Sequence, residues 1–381
     1  MTENAFSSPC TPPCLVRPGA RTWRCAPPPA EVRDFHAALP GHSPTPLAEL
    51  PSLAAELRVG RVFVKDESSR LGLPAFKALG ASWAVHRVLA ERAASGEEPG
   101  PVTLVTATDG NHGRAVARTA RLLGQRAHVF VPQGVHPRAV AAIAAERATV
   151  TEVAGAYDET VRLAAEAAAA RPDAVLVQDT AWAGYERIPG WIVEGYSTLC
   201  AEIDEQLTEG GHVAGPDLVA VPVGVGSLAQ AVVVTHYRSR PSGRAPALLS
   251  VEPEAAACVL ASLGLGEPVG VSTGETTMAG LNCGTPSSIA WPFLRDGLDA
   301  AVAVTDLDSA VAADDLAALG VSSGPCGAAS LAGVRVVLTG EGGEERRTAL
   351  GLDASSVVVL LSTEGPAANP RATGDHRTGG E

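Results

Sequence analysis

Short, nearly continuous apolar runs alternate with alanine-rich stretches of helical character along most of this 381-residue chain. The runs are VTLVTA at 102–107, HVFVP at 128–132, TVTEV at 149–153, AVLVQD at 174–179, LVAVPV at 218–223, LLSVEP at 248–253, AVAVTD at 301–306 and SVVVLLSTEG at 356–365. Helices are predicted over 112–123, 137–147 and 156–170, and again from 227, 254 and 307. Strands that are apolar on both faces and separated by helices belong in parallel sheets covered on both sides, so the class is α/β. The long helical stretch IPGWIVEGYSTLCAEIDEQL divides the strand series, which predicts two units rather than one very wide sheet. Residues 83–175 are expected to form a small α/β domain, and 1–82 with 176–381 a large one.

Within the large unit, residues 1–30 are expected to be an irregular, proline- and cysteine-rich arm, and 367–381 a loose tail. Cys10, Cys14 and Cys25 lie close in sequence, but a tetrahedral metal site needs a fourth ligand and His36 is an unforced choice, so no metal is expected. Forty-two acidic residues against 29 basic ones give a formal charge of -13, which argues against a nucleic-acid partner. No apolar run is long enough for a membrane span. Seven cysteines in so long a chain do not make a disulfide framework, and no charged start precedes an apolar segment, so the expected location is cytoplasmic.

Chemistry is expected in loops beyond the carboxyl ends of the strands, where open α/β sheets bind ligands. Only two lysines occur, Lys65 and Lys77, so any reaction needing a side-chain amine has two candidates. Lys65, beside Asp66 and Glu67, reads as the start of a polar loop with a solvated ion pair. Lys77 follows Ala75 and Phe76 and precedes an apolar helix, surroundings expected to lower an amine pKa and favour imine formation. VPVGVGS at 221–227 leads through Gly224 and Gly226 into a helix at Ser227, a geometry suited to a phosphate, to a plain turn, or to a nucleotide. TATDGNHGRAVA at 106–117 crowds Asp109, Asn111 and His112 into a glycine-punctuated turn, which reads either as a functional loop or as a helix cap. An amine with a separate phosphate cradle is the minimum that pyridoxal phosphate requires.

FHAALPGHSPTPL at 35–47, KDESSRLGLPAFKALGAS at 65–82, TATDGNHGR at 106–114, QDTAWAGYERIP at 178–189, VGVGSLA at 223–229 and MAGLNCGTPS at 278–287 resemble the fold type II (tryptophan synthase β-like) pyridoxal phosphate enzymes. The DGNHG and DTAWAGY segments narrow the resemblance to the diaminopropionate ammonia-lyase family, and it spans most of residues 35–366. The resemblance implies two parallel or mixed sheets flanked by helices, with the cofactor, pyridoxal 5'-phosphate, in the cleft between domains. It makes Lys77 the internal aldimine lysine, Asn111 the partner of the phenolic oxygen, and Gly224, Val225, Gly226 and Ser227 the phosphate cradle. Ser362, with Thr363 as second choice, would face the pyridine nitrogen. Asp109 and Asp179 would remove the Cα proton from the two stereoisomers of 2,3-diaminopropionate, in an α,β-elimination that yields pyruvate and two ammonia through an aminoacrylate. A serine or threonine dehydratase-like lyase, or a catalytically diverged cofactor-binding protein, is the alternative. By the same resemblance the chain is a homodimer acting on a small amino acid, and Cys258 and Cys283 correspond to a pair that can close a disulfide. The family commonly places a glutamate before the Ser-Gly pair near the ring, where this chain has Ser322.

Overall fold

The alternating pattern produces two sheets in a computed structural model that describes residues 14–96, 100–155, 157–209, 215–233, 238–239 and 245–368. In chain order the strands are β1 (Cys14–Val16), β2 (Leu47–Glu49), β3 (Arg61–Asp66), β4 (Thr103–Ala107), β5 (Arg126–Pro132), β6 (Thr149–Val153), β7 (Ala174–Leu176), β8 (Leu218–Pro222), β9 (Ala247–Pro253), β10 (Ala300–Val304) and β11 (Val357–Ser362). One sheet runs β1-β10-β9-β8-β11-β3-β2 and the other β6-β5-β4-β7. All pairings are parallel except the two outermost of the larger sheet, β1 with β10 and β2 with β3.

Both faces of the large sheet are apolar because both are covered. Val219 and Val221 of β8 join a core with the helices Lys77–Ala94 and Arg187–Glu209, while Leu218 and Ala220 join another with Asp306–Ala318 and Pro325–Thr339. The same two-residue alternation divides β11, with Val357, Val359 and Leu361 on one side and Val358 and Leu360 on the other. Gly195 lets the Arg187–Glu209 helix approach the Lys77 helix closely. A Cβ there would lie 2.6 Å from the Leu79 carbonyl oxygen, so side chains are excluded beside the turn that carries Lys77.

Several details differ from the sequence expectation. The helix Lys77–Ala94 runs unbroken through the expected boundary at residue 82, because its apolar face packs on both units. The arm is not wholly irregular: Cys14–Val16 adds an edge strand to β10, whose outer side is otherwise unpaired, and Pro18–Thr22 forms a short helical turn. Cys10 and residues 369–381 lie outside the described residues. His36 is buried, with its ring nitrogens on Thr198 Oγ1 at 2.7 Å and the Leu79 carbonyl at 3.0 Å.

Lys65 is the clearest correction. It is not a loop residue but part of β3, between β11 and β2, and it is fully buried. Its Nζ donates to Glu202 Oε2 and the Thr45 carbonyl, both at 2.7 Å, and to Gln206 Oε1 at 2.9 Å. Arg70, equally buried, donates to both oxygens of Glu202 and of Glu67. Burial pushes the Lys65 pKa down while Glu67 and Glu202 pull it back. Removing one member leaves an uncompensated charge in the interior, so Glu202→Gln is expected to cost about 3–5 kcal/mol of stability, read by denaturant unfolding.

Candidate active site

The carboxyl ends of parallel strands from both sheets meet in one cleft. Asp109 follows β4, Asp179 follows β7, Gly224–Ser227 follows β8, and Ser362 with Thr363 closes β11. Lys77 opens the helix after β3. Lys77 Nζ donates to Asp179 Oδ2 at 2.5 Å, bringing together two sequence-predicted residues that lie far apart along the chain. Asp109 is near enough to perturb Lys77 and to be perturbed by both Lys77 and Asp179.

The Asp109 and Asp179 loops are braced by residues that sequence reasoning had not singled out. Gln178 Oε1 accepts from Thr106 Oγ1 and the Ala107 backbone N–H, each at 3.0 Å, and so ties the end of β4 to the end of β7. Its Nε2 donates to the Tyr157 hydroxyl at 2.9 Å, and that hydroxyl in turn senses Asp179, Asp109 and Cys283. Trp182 stacks on Tyr185 at 4.5 Å, and the Tyr185 hydroxyl accepts from Gln178 N at 2.8 Å and donates to Leu176 O at 3.0 Å. The DTAWAGY motif thus fixes its own aspartate.

The charges in the cleft are unequal. For Lys77, burial alone would lower the pKa, but Asp179, with Tyr196 and Asp109, outweighs it and the amine is pushed upward. This reverses the lowering expected from apolar neighbours: the partner that decides the sign lies on another strand. Burial would raise Asp179, yet His112 and the Lys77 ammonium hold its carboxyl well below the usual range. His112 Nε2 donates to the Val177 carbonyl at 2.8 Å, and burial pushes the pKa of the ring down against the pull of Asp179. Asp109 is pushed up by burial and by Asp179 against the pull of Lys77. It is accessible to solvent, yet lies in a concavity crowded by protein, which is where a small ligand can reach a desolvated carboxylate.

The glycine loop makes a close cradle. Gly226 has φ +99° and a Cβ on it would stand 2.5 Å from Leu294, so it is restricted to glycine on both counts. A Cβ on Gly224 would stand 3.0 Å from Cys283 Sγ and 3.2 Å from the Gly280 carbonyl oxygen. Ser227 begins the following helix, and its hydroxyl donates to the Asp179 carbonyl at 3.2 Å. Ser287, another residue without an assigned role in the sequence reading, donates its backbone N–H to Val225 O at 2.8 Å, while its buried hydroxyl has no partner among the described residues. An orphaned hydroxyl beside a narrow glycine turn fits a phosphate with oxygens to spare. The residues present therefore suit pyridoxal phosphate: an amine, a phosphate cradle, and polar groups between them.

Ser362 is buried and its hydroxyl donates to Ser323 Oγ at 2.8 Å. Asn111 Nδ2 donates to Glu364 Oε2 at 2.8 Å. Cys258 and Cys283 flank Gly224, each with a free thiol in this structure. Cys258 Sγ points instead to the Gly224 carbonyl at 3.7 Å, and burial pushes the Cys283 thiol up to about 12. Ser322 is exposed and does not take the place of a buried glutamate. Beside Asn111 opens a cavity of about 430 Å³ lined by Arg114, Arg138 and Pro366.

A lysine poised against a carboxylate, at the meeting point of two α/β units and facing a glycine cradle, defines a cofactor-carrying enzyme of the α/β class. The chain belongs to the pyridoxal-phosphate dependent enzyme family, whose model matches residues 38–362. It is 37% identical over 363 residues to the diaminopropionate ammonia-lyase of Salmonella typhimurium, covering 88% of each chain. The crystal structure of the Escherichia coli diaminopropionate ammonia-lyase with D-serine superposes with a TM-score of 0.84 at 32% identity, covering 93% of this chain and 94% of that one. The same enzyme with an aminoacrylate-PLP azomethine reaction intermediate gives 0.81 at 33% identity, with the same coverage. No helix among the described residues is long and apolar enough to cross a membrane.

The raised Lys77 pKa has a measurable consequence. Only the neutral amine can attack an aldehyde, so uptake of the cofactor by the apoprotein is expected to accelerate with pH, by about tenfold per unit below that pKa. Asp179→Asn removes the group that raises it and is expected to speed uptake at neutral pH, followed by stopped-flow absorbance.

Proposed function

We propose that this chain catalyses the α,β-elimination of 2,3-diaminopropionate, with one water consumed, to pyruvate and two ammonia. The observation that carries the reading is the pairing of Lys77 with Asp179 at 2.5 Å beside a second carboxylate, Asp109, whose pKa is displaced in the opposite direction. Two carboxylates pushed apart in this way can hold different protons at the same pH. They also offer negative charge to a substrate that carries a second ammonium, which serine and threonine lack.

Bound in the cleft, pyridoxal phosphate supplies the electron sink that acidifies the substrate Cα–H. Lys77 anchors it and, once released by the incoming substrate amine, can carry a proton from Nζ to the departing β-amino group. Asp109 and Asp179 accept the Cα proton from opposite stereoisomers. Asn111 meets the phenolic oxygen, and Gly224, Val225, Gly226 and Ser227 hold the phosphate, with the Ser287 hydroxyl as an additional donor. Thr363 is the stronger choice for the pyridine nitrogen, because the Ser362 proton is engaged by Ser323. A homodimeric, cytoplasmic enzyme acting on a small amino acid completes the reading.

The test is pyruvate release by the purified protein with D- and L-diaminopropionate, D- and L-serine, and threonine. Turnover of a diaminopropionate isomer with serine and threonine at least about tenfold slower is the expected result. Equal or faster turnover of serine or threonine would instead make it a dehydratase, and no turnover with any of them a binding protein.

A further inference from the structure

Glu364 follows directly on β11, is only 3% exposed, and is held from several directions. Its Oε2 accepts from Asn111 Nδ2 at 2.8 Å, and the buried Cys326 thiol also hydrogen-bonds the carboxylate. Oε1 lies 3.1 Å from where a Cβ on Gly324 would stand, so glycine at 324 makes room for it. The backbone is equally fixed. Gly324 N–H donates to Glu364 O at 2.8 Å, Glu364 bridges to Ala75, Phe76 N–H donates to Thr363 O at 3.2 Å, and Gly365 N–H donates to Pro74 O at 2.9 Å. One short segment thus joins Asn111, the Ser323–Gly324 turn and the residues that lead into Lys77.

We propose that Glu364 is a positioning residue that fixes the orientation of the Asn111 carboxamide toward the cofactor. The proposal rests on the reading that the phenolic oxygen of pyridoxal phosphate lies against Asn111. A carboxamide is nearly isosteric when flipped, but its two ends differ: the nitrogen donates twice and the oxygen only accepts. A carboxylate beside it attracts the nitrogen end and repels the oxygen end. With one N–H given to Glu364, the second N–H remains for an acceptor such as a phenolic oxygen. The bond to Glu364 is charge-assisted, hence stronger than an amide–amide contact would be. A glutamine at 364 could bond Asn111 in either orientation, so it would hold the side chain without selecting its direction.

The test measures cofactor binding and the visible spectrum of the bound cofactor, with no substrate present, so it stands even if diaminopropionate proves not to be turned over. Glu364→Gln is expected to weaken cofactor binding on the order of tenfold, and to shift the absorbance maximum of bound cofactor, while the apoprotein melts as the wild type does. Asn111→Ala is expected to lose a similar factor, and the double variant to bind no more weakly than Asn111→Ala alone, since the two residues act as one. Glu364→Asp, which keeps the charge but withdraws it from Asn111, provides a second variant and is expected to show the same spectral shift. Wild-type affinity and spectrum in both Glu364 variants, or losses that multiply in the double variant, would overturn the proposal.

Discussion

Lys77→Ala is expected to abolish turnover, by at least about 10³-fold, and to erase the visible absorbance of lysine-bound cofactor. The size of the effect follows from the scarcity of amines. The chain has one other lysine, Lys65, and its Nζ makes three hydrogen bonds in a buried charge cluster, with no exposed surface. No second lysine amine can therefore reach the cleft. The phosphate cradle is untouched by the substitution, so the variant should still bind pyridoxal phosphate, more weakly and with the spectrum of the free aldehyde. Borohydride reduction of the wild-type holoprotein, followed by peptide mapping, should leave the cofactor on residue 77. A label on Lys65, or a variant that keeps its absorbance and turnover, would refute the role given to Lys77.

How much of this was legible in the sequence depended on whether the deciding partner lay nearby in the chain. The eight apolar runs all became strands, because full burial on both faces leaves a local signature that needs no knowledge of partners. β3 escaped because Lys65, near its carboxyl end, carries a charge that only a folded neighbour, Glu202, makes tolerable in the interior. β1 and β2 are three-residue edge strands, too short for a period to show.

The candidate site divides in the same way. Asp109, Asn111, Lys77 and the glycine loop stood out because glycines and acids at strand ends cost local order without adding core. Gln178, Ser287 and Glu364 were silent, since a glutamine, a serine or a glutamate in a loop has many ordinary uses. Gln178 does border the aspartate of the DTAWAGY motif, and Glu364 sits in the STEG segment, but adjacency to a motif did not specify which way either side chain points. The sign of the Lys77 shift was hidden for a stronger reason. Apolar neighbours in sequence favour the neutral amine, whereas Asp179, 102 positions away, favours the ammonium and prevails.

The two acids should separate the stereoisomers and do so with different pH limits. Asp109→Asn is expected to reduce turnover of one enantiomer of diaminopropionate by about 10²–10⁴-fold and to leave the other within about threefold, because Lys77 Nζ is held by its hydrogen bond to Asp179 and not by Asp109. Asp179→Asn should suppress the opposite enantiomer by a similar factor. It should also slow the first one moderately, because it removes the carboxylate that holds Lys77 Nζ at 2.5 Å. A base must be ionised to accept the Cα proton, so activity falls as pH drops through its pKa. Burial and Asp179 raise the Asp109 pKa, whereas His112 and Lys77 together outweigh burial to depress that of Asp179. Acidification should therefore extinguish kcat/KM first for the enantiomer that depends on Asp109, and only at lower pH for the one that depends on Asp179. Superimposable acid limbs for the two enantiomers, or a single aspartate variant that loses both equally while the other loses neither, would show that one base serves both faces of the substrate.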